Sequence, residues 1–210
     1  MKATATGLFA FVLAAAPAFA CTDTQINGGN LQFGYAQTGG GSIAGSFVSD
    51  GDIVLDPANE GSASATFSLD GLEYLVVLGA VTDGSNFTDV GAIVVRGATA
   101  PGAGTYVFDG VNTFFVFVDD AVGYAAPTDI CGVNWMLELV GAVAAGKYSA
   151  TSGTVTFDVV TPTNVVGTFS GLATDPTSGA TLLISDGSFN VEDATSVDAS
   201  SWGEVKNAYR

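Results

Sequence analysis

From residue 31 to residue 192 the chain alternates hydrophobic and polar positions with a period of two. In the first such segment Leu31, Phe33 and Tyr35 are separated by Gln32 and Gly34, so three large side chains share one face of an extended strand. No segment before residue 195 has the periodicity of a helix. Similar segments, or apolar runs of strand length, follow at 63–69, 72–78, 92–95, 105–108, 113–118, 133–140, 154–160, 165–172, 181–184 and 188–191.

Turn-forming dipeptides separate these segments at intervals of about 8–12 residues, which is the spacing of strands in a sandwich or a barrel. Threonine, valine, phenylalanine and isoleucine fill the segments, as a half-buried pleated surface requires. The sequence therefore predicts an all-β protein, with one antiparallel β-sandwich domain of immunoglobulin-like or jelly-roll-like type over residues 21–192. The dipeptides are Asp50-Gly51, Asp70-Gly71, Asp83-Gly84, Pro101-Gly102, Asp109-Gly110, Asp175-Pro176 and Asp186-Gly187.

Residues 1–20 predict an export signal peptide that is removed from the mature protein. Lys2 supplies a positive charge, residues 7–16 form an apolar stretch, and Ala18-Phe19-Ala20 is a small-x-small cleavage site. Neither this stretch nor any later one reaches the ~20 apolar residues of a membrane-spanning helix. We therefore expect an exported bacterial protein without a transmembrane span, located in the periplasm, on the cell surface or in the medium.

Cys21 would become the first residue of the exported chain, and Cys131 is the only other cysteine. An oxidising compartment and an even cysteine count favour a disulfide between them, which would stabilise the fold by about 2–4 kcal/mol. The alternative is lipidation of Cys21, although Ala18 and Phe19 depart from the usual lipoprotein signal. The sequence leaves both alternatives open.

Residues 193–210 predict a polar linker followed by a short amphipathic helix. Ser201 and Glu204 have the spacing of a capping box, and Trp202, Val205 and Tyr209 form one apolar stripe. We expect the stripe to pack on the sheet. The alternative is that these three residues dock onto a partner in the cell envelope.

The composition excludes several classes of function. The 210 residues include 21 acidic and 5 basic side chains, so the formal net charge is −16 and a nucleic acid is not an expected partner. The absence of histidine excludes Ser-His-Asp catalysis, Cys-His catalysis and histidine-bound zinc. The 48% hydrophobic content is too high for an intrinsically disordered chain.

Four short segments in the second half of the chain follow a familiar order. Residues 102–108 read GAGTYVF, 152–158 read SGTVTFD, 166–170 read VGTFS and 184–191 read ISDGSFNV. Over roughly residues 60–192 the chain resembles a β-sandwich domain of unknown function that occurs in bacterial envelope and lipoprotein-like proteins. The resemblance implies a β-sandwich fold and a location in the bacterial envelope. It implies no catalytic residues.

Two glutamates within apolar segments are the candidate catalytic residues. Glu73 lies in segment 72–78 and Glu138 in segment 133–140, where desolvation would raise the pKa of either carboxyl group. On one concave face, at a separation of about 5–5.5 Å, the pair could serve as the acid and the nucleophile of a retaining glycosidase. The alternatives are outward-facing strand residues or a partner for Arg96.

Acidic turns offer oxygen ligands for calcium, which takes about 6–8 of them. Asp50 and Asp52 begin a segment that lacks the remaining ligands and the glycine of an EF-hand loop, and Asp83, Asn86 and Asp89 form a looser group. Calcium is the only cofactor that the sequence suggests. The alternative is that these side chains are solvated turn acids.

The sequence therefore favours a non-enzymatic binding or structural module with an unknown envelope or extracellular ligand. A carbohydrate-active domain is the first alternative, which would use either the paired glutamates or exposed aromatic rings. Phe114 and Phe115 are adjacent, so a strand must send them to opposite faces. The second alternative is a structural subunit that assembles through its edge strands. The oligomeric state is not predicted.

Overall fold

The computed structural model describes residues 25–54, 61–69, 71–82, 87–119 and 148–192. Ten strands account for most of them, because β-branched and aromatic residues alternate with small polar ones. The strands are β1 (Gln25–Gln37), β2 (Ala44–Val54), β3 (Gly61–Leu69), β4 (Leu72–Thr82), β5 (Phe87–Gly97), β6 (Gly104–Val107), β7 (Thr113–Val118), β8 (Tyr148–Thr161), β9 (Asn164–Thr174) and β10 (Thr181–Glu192). A short 3-10 turn, Thr38–Gly40, follows β1.

All ten strands belong to one antiparallel sheet. Its order is β2-β1-β10-β9-β8-β7-β5-β4-β3, and β6 pairs with β8 beyond the point where β7 stops pairing with it. The predicted all-β antiparallel class is therefore confirmed. The described strands do not divide into the two separate sheets of the predicted sandwich. The C-terminal helix predicted within 193–210 lies outside the described residues.

The sheet rolls up around aromatic and aliphatic side chains on its inner face. Phe33 on β1 is central in this core. Its ring stacks on Phe47 with 4.9 Å between centroids and lies edge-on to Phe115, Phe117 and Phe169 at 5.1–5.7 Å. Strands β1, β2, β7 and β9 thus meet in one aromatic cluster, whose edge-on geometry adds to the gain from burial.

Serine side chains join the two edges of the rolled sheet, β2 and β3. The Ser49 hydroxyl lies 2.8 Å from the Ser62 hydroxyl and accepts a hydrogen bond from the Ala80 N–H at 3.1 Å. Ser62 also donates to the Ser49 carbonyl at 3.1 Å, and Ser64, further along β3, donates to the carbonyl of Glu192 on β10 at 3.0 Å. These bonds give buried polar groups their partners at a place where the described strands form no backbone ladder. We call this contact the serine seam.

A pair of glycines allows the opposing layers to approach closely. Gly79 on β4 is the ladder partner of Gly91 on β5. A Cβ atom on Gly79 would lie 2.9 Å from Leu31 and 3.1 Å from the Phe47 ring, and one on Gly91 would lie 3.2 Å from the Phe33 ring. The absence of these two side chains therefore makes room for the large residues of β1 and β2.

The rolled sheet has two unlike outer surfaces. Along β10, buried residues alternate with exposed or half-buried ones, and β9 and β8 follow the same pattern over much of their length. Along β4, by contrast, every residue from 74 to 80 is buried. Strands that are buried on both faces have nearly continuous apolar sequences, as segment 72–78 has. The first surface is therefore open to solvent, whereas the second is covered.

Candidate functional site

A row of hydroxyl and amide side chains crosses five strands on the open surface. Thr105, Thr156, Thr168, Ser188 and Gln32 are successive cross-strand partners on β6, β8, β9, β10 and β1. The Thr105 and Thr156 hydroxyls lie 2.9 Å apart, and the Gln32 amide donates to the Ser188 hydroxyl at 3.2 Å. We define the polar outer face as this row with its neighbouring ladder pair: Gln32, Thr105, Thr154, Thr156, Thr168, Ser170 and Ser188.

The charged groups around the polar outer face are negative. Asp50, Asp158 and Glu192 are exposed on β2, β8 and β10. Arg96 is the one basic side chain in the described ranges, and it lies on β5 with its guanidinium 5.6 Å from the Phe114 ring centre. Because no described cation adjoins the polar outer face, it suits a neutral ligand better than a phosphate or a carboxylate.

Glu73 is held in a cross-strand pair at the surface. Its ladder partner is Ser68, whose hydroxyl lies 2.7 Å from each of the two carboxylate oxygens. The hydroxyl donates to the carboxylate, which is the geometry of a stabilising side-chain pair on a sheet. Glu138, the predicted second acid, lies outside the described residues. The glycosidase pair therefore remains a prediction.

The two calcium candidates whose side chains are described point to opposite sides of the sheet. Asp50 is exposed on the outer side of β2, whereas Asp89 is half-buried on β5, on the same side as the core residue Ile93. Across the described ranges, no three Asp, Glu, Cys or His side chains come close enough together to hold a metal ion. Asp50 and Asp89 thus give the calcium prediction no support, and the side chain of Asp52 lies outside the described part.

The remaining predicted site residues lie outside the described residues. They are the two cysteines, the second glutamate, two calcium candidates and the C-terminal stripe: Cys21, Cys131, Glu138, Asp83, Asn86, Trp202, Val205 and Tyr209. The export signal at 1–20 lies outside them as well. Export, the disulfide, lipidation and C-terminal docking therefore stay predictions.

One group of ionisable residues was missed in the sequence. Tyr35 on β1 lies within electrostatic reach of Asp89 and Asp119, and Tyr148 on β8 lies within reach of Asp119 and Asp175. Burial raises the pKa of both phenols above the ordinary value of 10.0, and the negative charge of Asp119 raises it further. The five residues come from five strand ends or adjoining turns, so nothing in the local sequence links them.

The two tyrosines should make the protein lose stability in strong alkali. An unfolded tyrosine ionises near its ordinary pKa of 10.0, whereas folded Tyr35 and Tyr148 stay protonated to higher pH. Their contribution to the free energy of unfolding is therefore complete below pH 10 and is lost as the pH rises through the raised pKa values. Urea denaturation of the wild type and of the Tyr35→Phe/Tyr148→Phe variant, from about pH 8 to about pH 12, measures this loss. Equal losses in both proteins would contradict the assignment.

A small cavity between described core residues offers no site for a ligand. It is lined by apolar groups, including Phe108, Phe115, Phe169 and Ile184, and it is too small to admit a water molecule. Pockets that hold small organic ligands are typically about 300–1,000 Å³ in volume and carry a few polar groups. The surface of the sheet is therefore a better candidate for binding than this cavity.

The chain has no match among known protein families, curated proteins or solved structures. The resemblance to an envelope domain therefore remains a prediction that rests on four short segments. Within the described ranges, no helix has the length and hydrophobicity needed to span a membrane.

Proposed function

We propose that this protein is an exported, non-enzymatic module of the cell envelope or extracellular space that binds a neutral, hydroxyl-rich polymer. The observation that carries the proposal is the row of hydroxyl and amide groups across five strands of the polar outer face. These groups both donate and accept hydrogen bonds, as the hydroxyls of a glycan do. Neighbouring strands are about 4.8 Å apart, so an extended polymer could contact several strands in turn.

The positions of the described aromatic rings indicate that a glycan would be recognised by hydrogen bonding and not by stacking on rings. Phe115 and Phe117 are buried in the core, and Phe114 is half-buried beside Arg96. The large hydrophobic residues that are exposed in the described part are all aliphatic: Val48, Val107, Val111, Val159 and Leu183. A sugar-stacking platform therefore has no support from the described residues.

The contacts of Glu73, the described candidate acid, and of the turn residue Asp109 support a non-enzymatic role. Glu73 is paired with the Ser68 hydroxyl. Asp109 accepts hydrogen bonds from the backbone N–H groups of Val111, Asn112 and Thr113 at 2.7–2.9 Å, and the bond from Thr113 is the main cause that lowers its pKa. Glu73 thus stabilises a cross-strand pair, and Asp109 stabilises the turn that follows it.

Assembly through edge strands has less support than binding through the sheet surface. The edge strands β2 and β3 face each other across the serine seam. The short strand β6 has four residues, which limits its use as a template for a further strand. The polar outer face is therefore a more favourable surface for a partner than the edges of the described strands.

We also propose that the rolled sheet is flattened into two facing layers, and thus has the character of a sandwich. Strands β1, β2, β8, β9 and β10 would form one layer, and β3, β4, β5 and β7 the other. The contacts of Phe33 on β1 with Phe115 and Phe117 on β7 support this arrangement, because they join strands that are not ladder partners.

Co-sedimentation with insoluble glycans tests the binding proposal. Cellulose, chitin and curdlan, three insoluble neutral glycans, serve as probes, and we expect the wild type to sediment with at least one of them. Replacing Thr156 and Thr168 together by arginine puts two long cations in the middle of the row. The fraction of this variant that sediments with the glycan should be severalfold lower than that of the wild type. Its circular dichroism spectrum and melting temperature should equal those of the wild type.

Val111→Arg is the matched control, because Val111 is exposed in the turn between β6 and β7 and does not belong to the polar outer face. It should sediment like the wild type. Two outcomes would contradict the proposal: a wild type that binds none of the three glycans, or a loss of binding that is as large in Val111→Arg as in the double variant.

A further inference from the structure

An aliphatic strip crosses four strands directly beside the polar outer face. Both neighbours of Leu183 on β10 belong to the core, so Leu183 itself points outward, and it is 48% exposed. The ladders place half-buried Leu172 of β9 on one side of it and exposed Ala36 of β1 on the other. Ala44 of β2 pairs with Ala36 and is also exposed. We define the aliphatic strip as these four residues: Leu172, Leu183, Ala36 and Ala44.

Hydroxyl side chains border the aliphatic strip on both sides. On the side away from the polar outer face, the Thr174 and Thr181 hydroxyls lie 3.0 Å apart, and the Thr38 hydroxyl donates to the Thr181 carbonyl at 3.2 Å. On the other side, Ser170 of the polar outer face pairs with Thr154. We define the near row as Ser46, Ser185, Ser170 and Thr154, and the far row as Thr38, Thr181, Thr174 and Ser149.

Strand geometry fixes the distance from the aliphatic strip to each row. Leu172 is two residues from Ser170 and two residues from Thr174 along β9. Because a strand rises by about 3.4 Å per residue, each row lies about 6.8 Å from the strip. A hydrogen bond takes about 2.8 Å of this distance, which leaves about 4 Å for half the width of a ligand on the strip. One sugar ring with its hydroxyl groups fits this half-width, and two rings side by side do not.

We propose that the aliphatic strip is the contact line of a single extended glycan chain of flat, ribbon-like form. The sugar rings of such a chain carry C–H groups on their two faces, and their hydroxyl groups project from the two edges. One ring face lies on the strip, where contact between C–H and aliphatic groups removes apolar surface from water. The edges bond to the near row and the far row, so the chain runs across the strands.

The proposal rests on the proposed function and names its substrate class, which is neutral glycans of the cellulose or chitin type. The charges near the aliphatic strip favour a neutral chain. Asp186 is exposed at the bulge of β10, directly after Ser185 of the near row. Its carboxylate can accept hydrogen bonds from sugar hydroxyls, and it repels a polyanion. In the described part of the chain the one basic side chain is Arg96, on β5, which pairs with none of the four strands of the strip.

Leu183→Thr tests the aliphatic strip, because it puts a hydroxyl where the proposal requires a C–H contact. Binding isotherms of the full-length protein on cellulose and on chitin measure the affinity. Leu183→Thr should bind severalfold more weakly than the wild type, although it adds a hydrogen-bonding group to the surface. Leu183→Met keeps the apolar contact and should bind like the wild type. Val159→Thr is the matched control, since Val159 is an exposed aliphatic residue of β8 outside the strip, and it should also bind like the wild type.

The far row gives a second test, because it does not belong to the polar outer face. Replacing Thr174 and Thr181 together by valine keeps the side-chain shape and removes both members of one hydroxyl pair. The loss of both partners leaves neither hydroxyl unsatisfied, so the variant should keep the wild-type melting temperature. It should bind cellulose or chitin severalfold more weakly than the wild type.

The possible outcomes separate this proposal from the proposed function. A wild type that binds curdlan, whose chains are helical, but neither cellulose nor chitin would overturn this proposal and leave the binding function standing. Unchanged binding in Leu183→Thr or in the double valine variant would do the same. A wild type that binds none of the three glycans would contradict both. A wild-type dimer that dissociates in Leu183→Thr, as seen by analytical ultracentrifugation, would assign the strip to a second copy and would also overturn this proposal.

Discussion

Replacing Phe33 by alanine is expected to lower the free energy of unfolding by about 3–5 kcal/mol, the largest effect of any single substitution proposed here. The Phe33 side chain is 2% exposed and contacts rings from β2, β7 and β9. Its removal leaves a cavity at the point where these strands meet, and the neighbouring rings are fixed to separate strands and can refill it only in part. Urea denaturation monitored by circular dichroism measures the change.

Phe33→Leu is the matched control, since it keeps an apolar side chain of intermediate size. It should cost clearly less than Phe33→Ala. A loss below about 1 kcal/mol for Phe33→Ala, which is the range of ordinary substitutions, would mean that the aromatic cluster does not hold these strands together.

Replacing Ser49 by alanine should lower the free energy of unfolding by about 1–3 kcal/mol. The buried Ser49 hydroxyl accepts the hydrogen bond of the Ala80 N–H, and it also bonds to Ser62. Without it, the Ala80 N–H is left buried without its acceptor, and the serine seam loses its central group. Urea denaturation measures the loss, and amide exchange at Ala80 should become faster.

Ser46→Ala is the control for the serine seam, because Ser46 lies on the same strand and is exposed. Its effect should stay within about 0.5 kcal/mol, as for other surface positions. Similar effects of the two substitutions would indicate that the hydroxyl contacts of Ser49 do not hold β2 against β3.

The strands could be predicted from the sequence because burial on one face imposes a period of two. Phe114 and Phe115 illustrate this. They were predicted to face opposite sides, and Phe115 is in the core with 1% exposure whereas Phe114 is half-buried on the outer side, which confirms the prediction.

Two of the predicted turns were wrong, because both Asp-Gly pairs lie within strands. Asp50-Gly51 lies within β2, opposite Asn30 and Gly29 of β1. Asp186-Gly187 lies within β10, where the register shifts and Asp186 adopts a φ of 54°. At Asp186 the strand forms a β-bulge, which uses the same left-handed backbone conformation as a tight turn, so this Asp-Gly pair could indicate either.

The meeting of β2 with β3 could not be predicted, because it depends on contacts between residues far apart in the folded order of strands. Ser49 and Ser62 look like ordinary strand serines, and only the fold brings their hydroxyls together. The polar outer face was missed for the same reason. Thr154 and Thr156 show the period of a polar face, but the register that aligns Thr156 with Thr105 and Thr168 is set by strand pairing.

The candidate acids show why spacing along a strand is a weak guide to a site. Asp50 and Glu73 are both on strands, where successive side chains point to opposite faces. Asp50 therefore faces solvent on β2, whereas Glu73 is paired with Ser68 on the neighbouring strand. Acidic side chains that look like one group in the sequence therefore end up on different strands and different faces of the folded sheet.

One sheet rolls up until β2 meets β3, which leaves one outer surface open to solvent and the other buried. Proton–proton NOE contacts in the folded protein test this claim most directly. We predict contacts between the side chains of Ser49 and Ser62, and between the Ser49 side chain and the Ala80 amide. Contacts confined to the β1–β2 and β3–β4 ladders, with none across the serine seam, would contradict it.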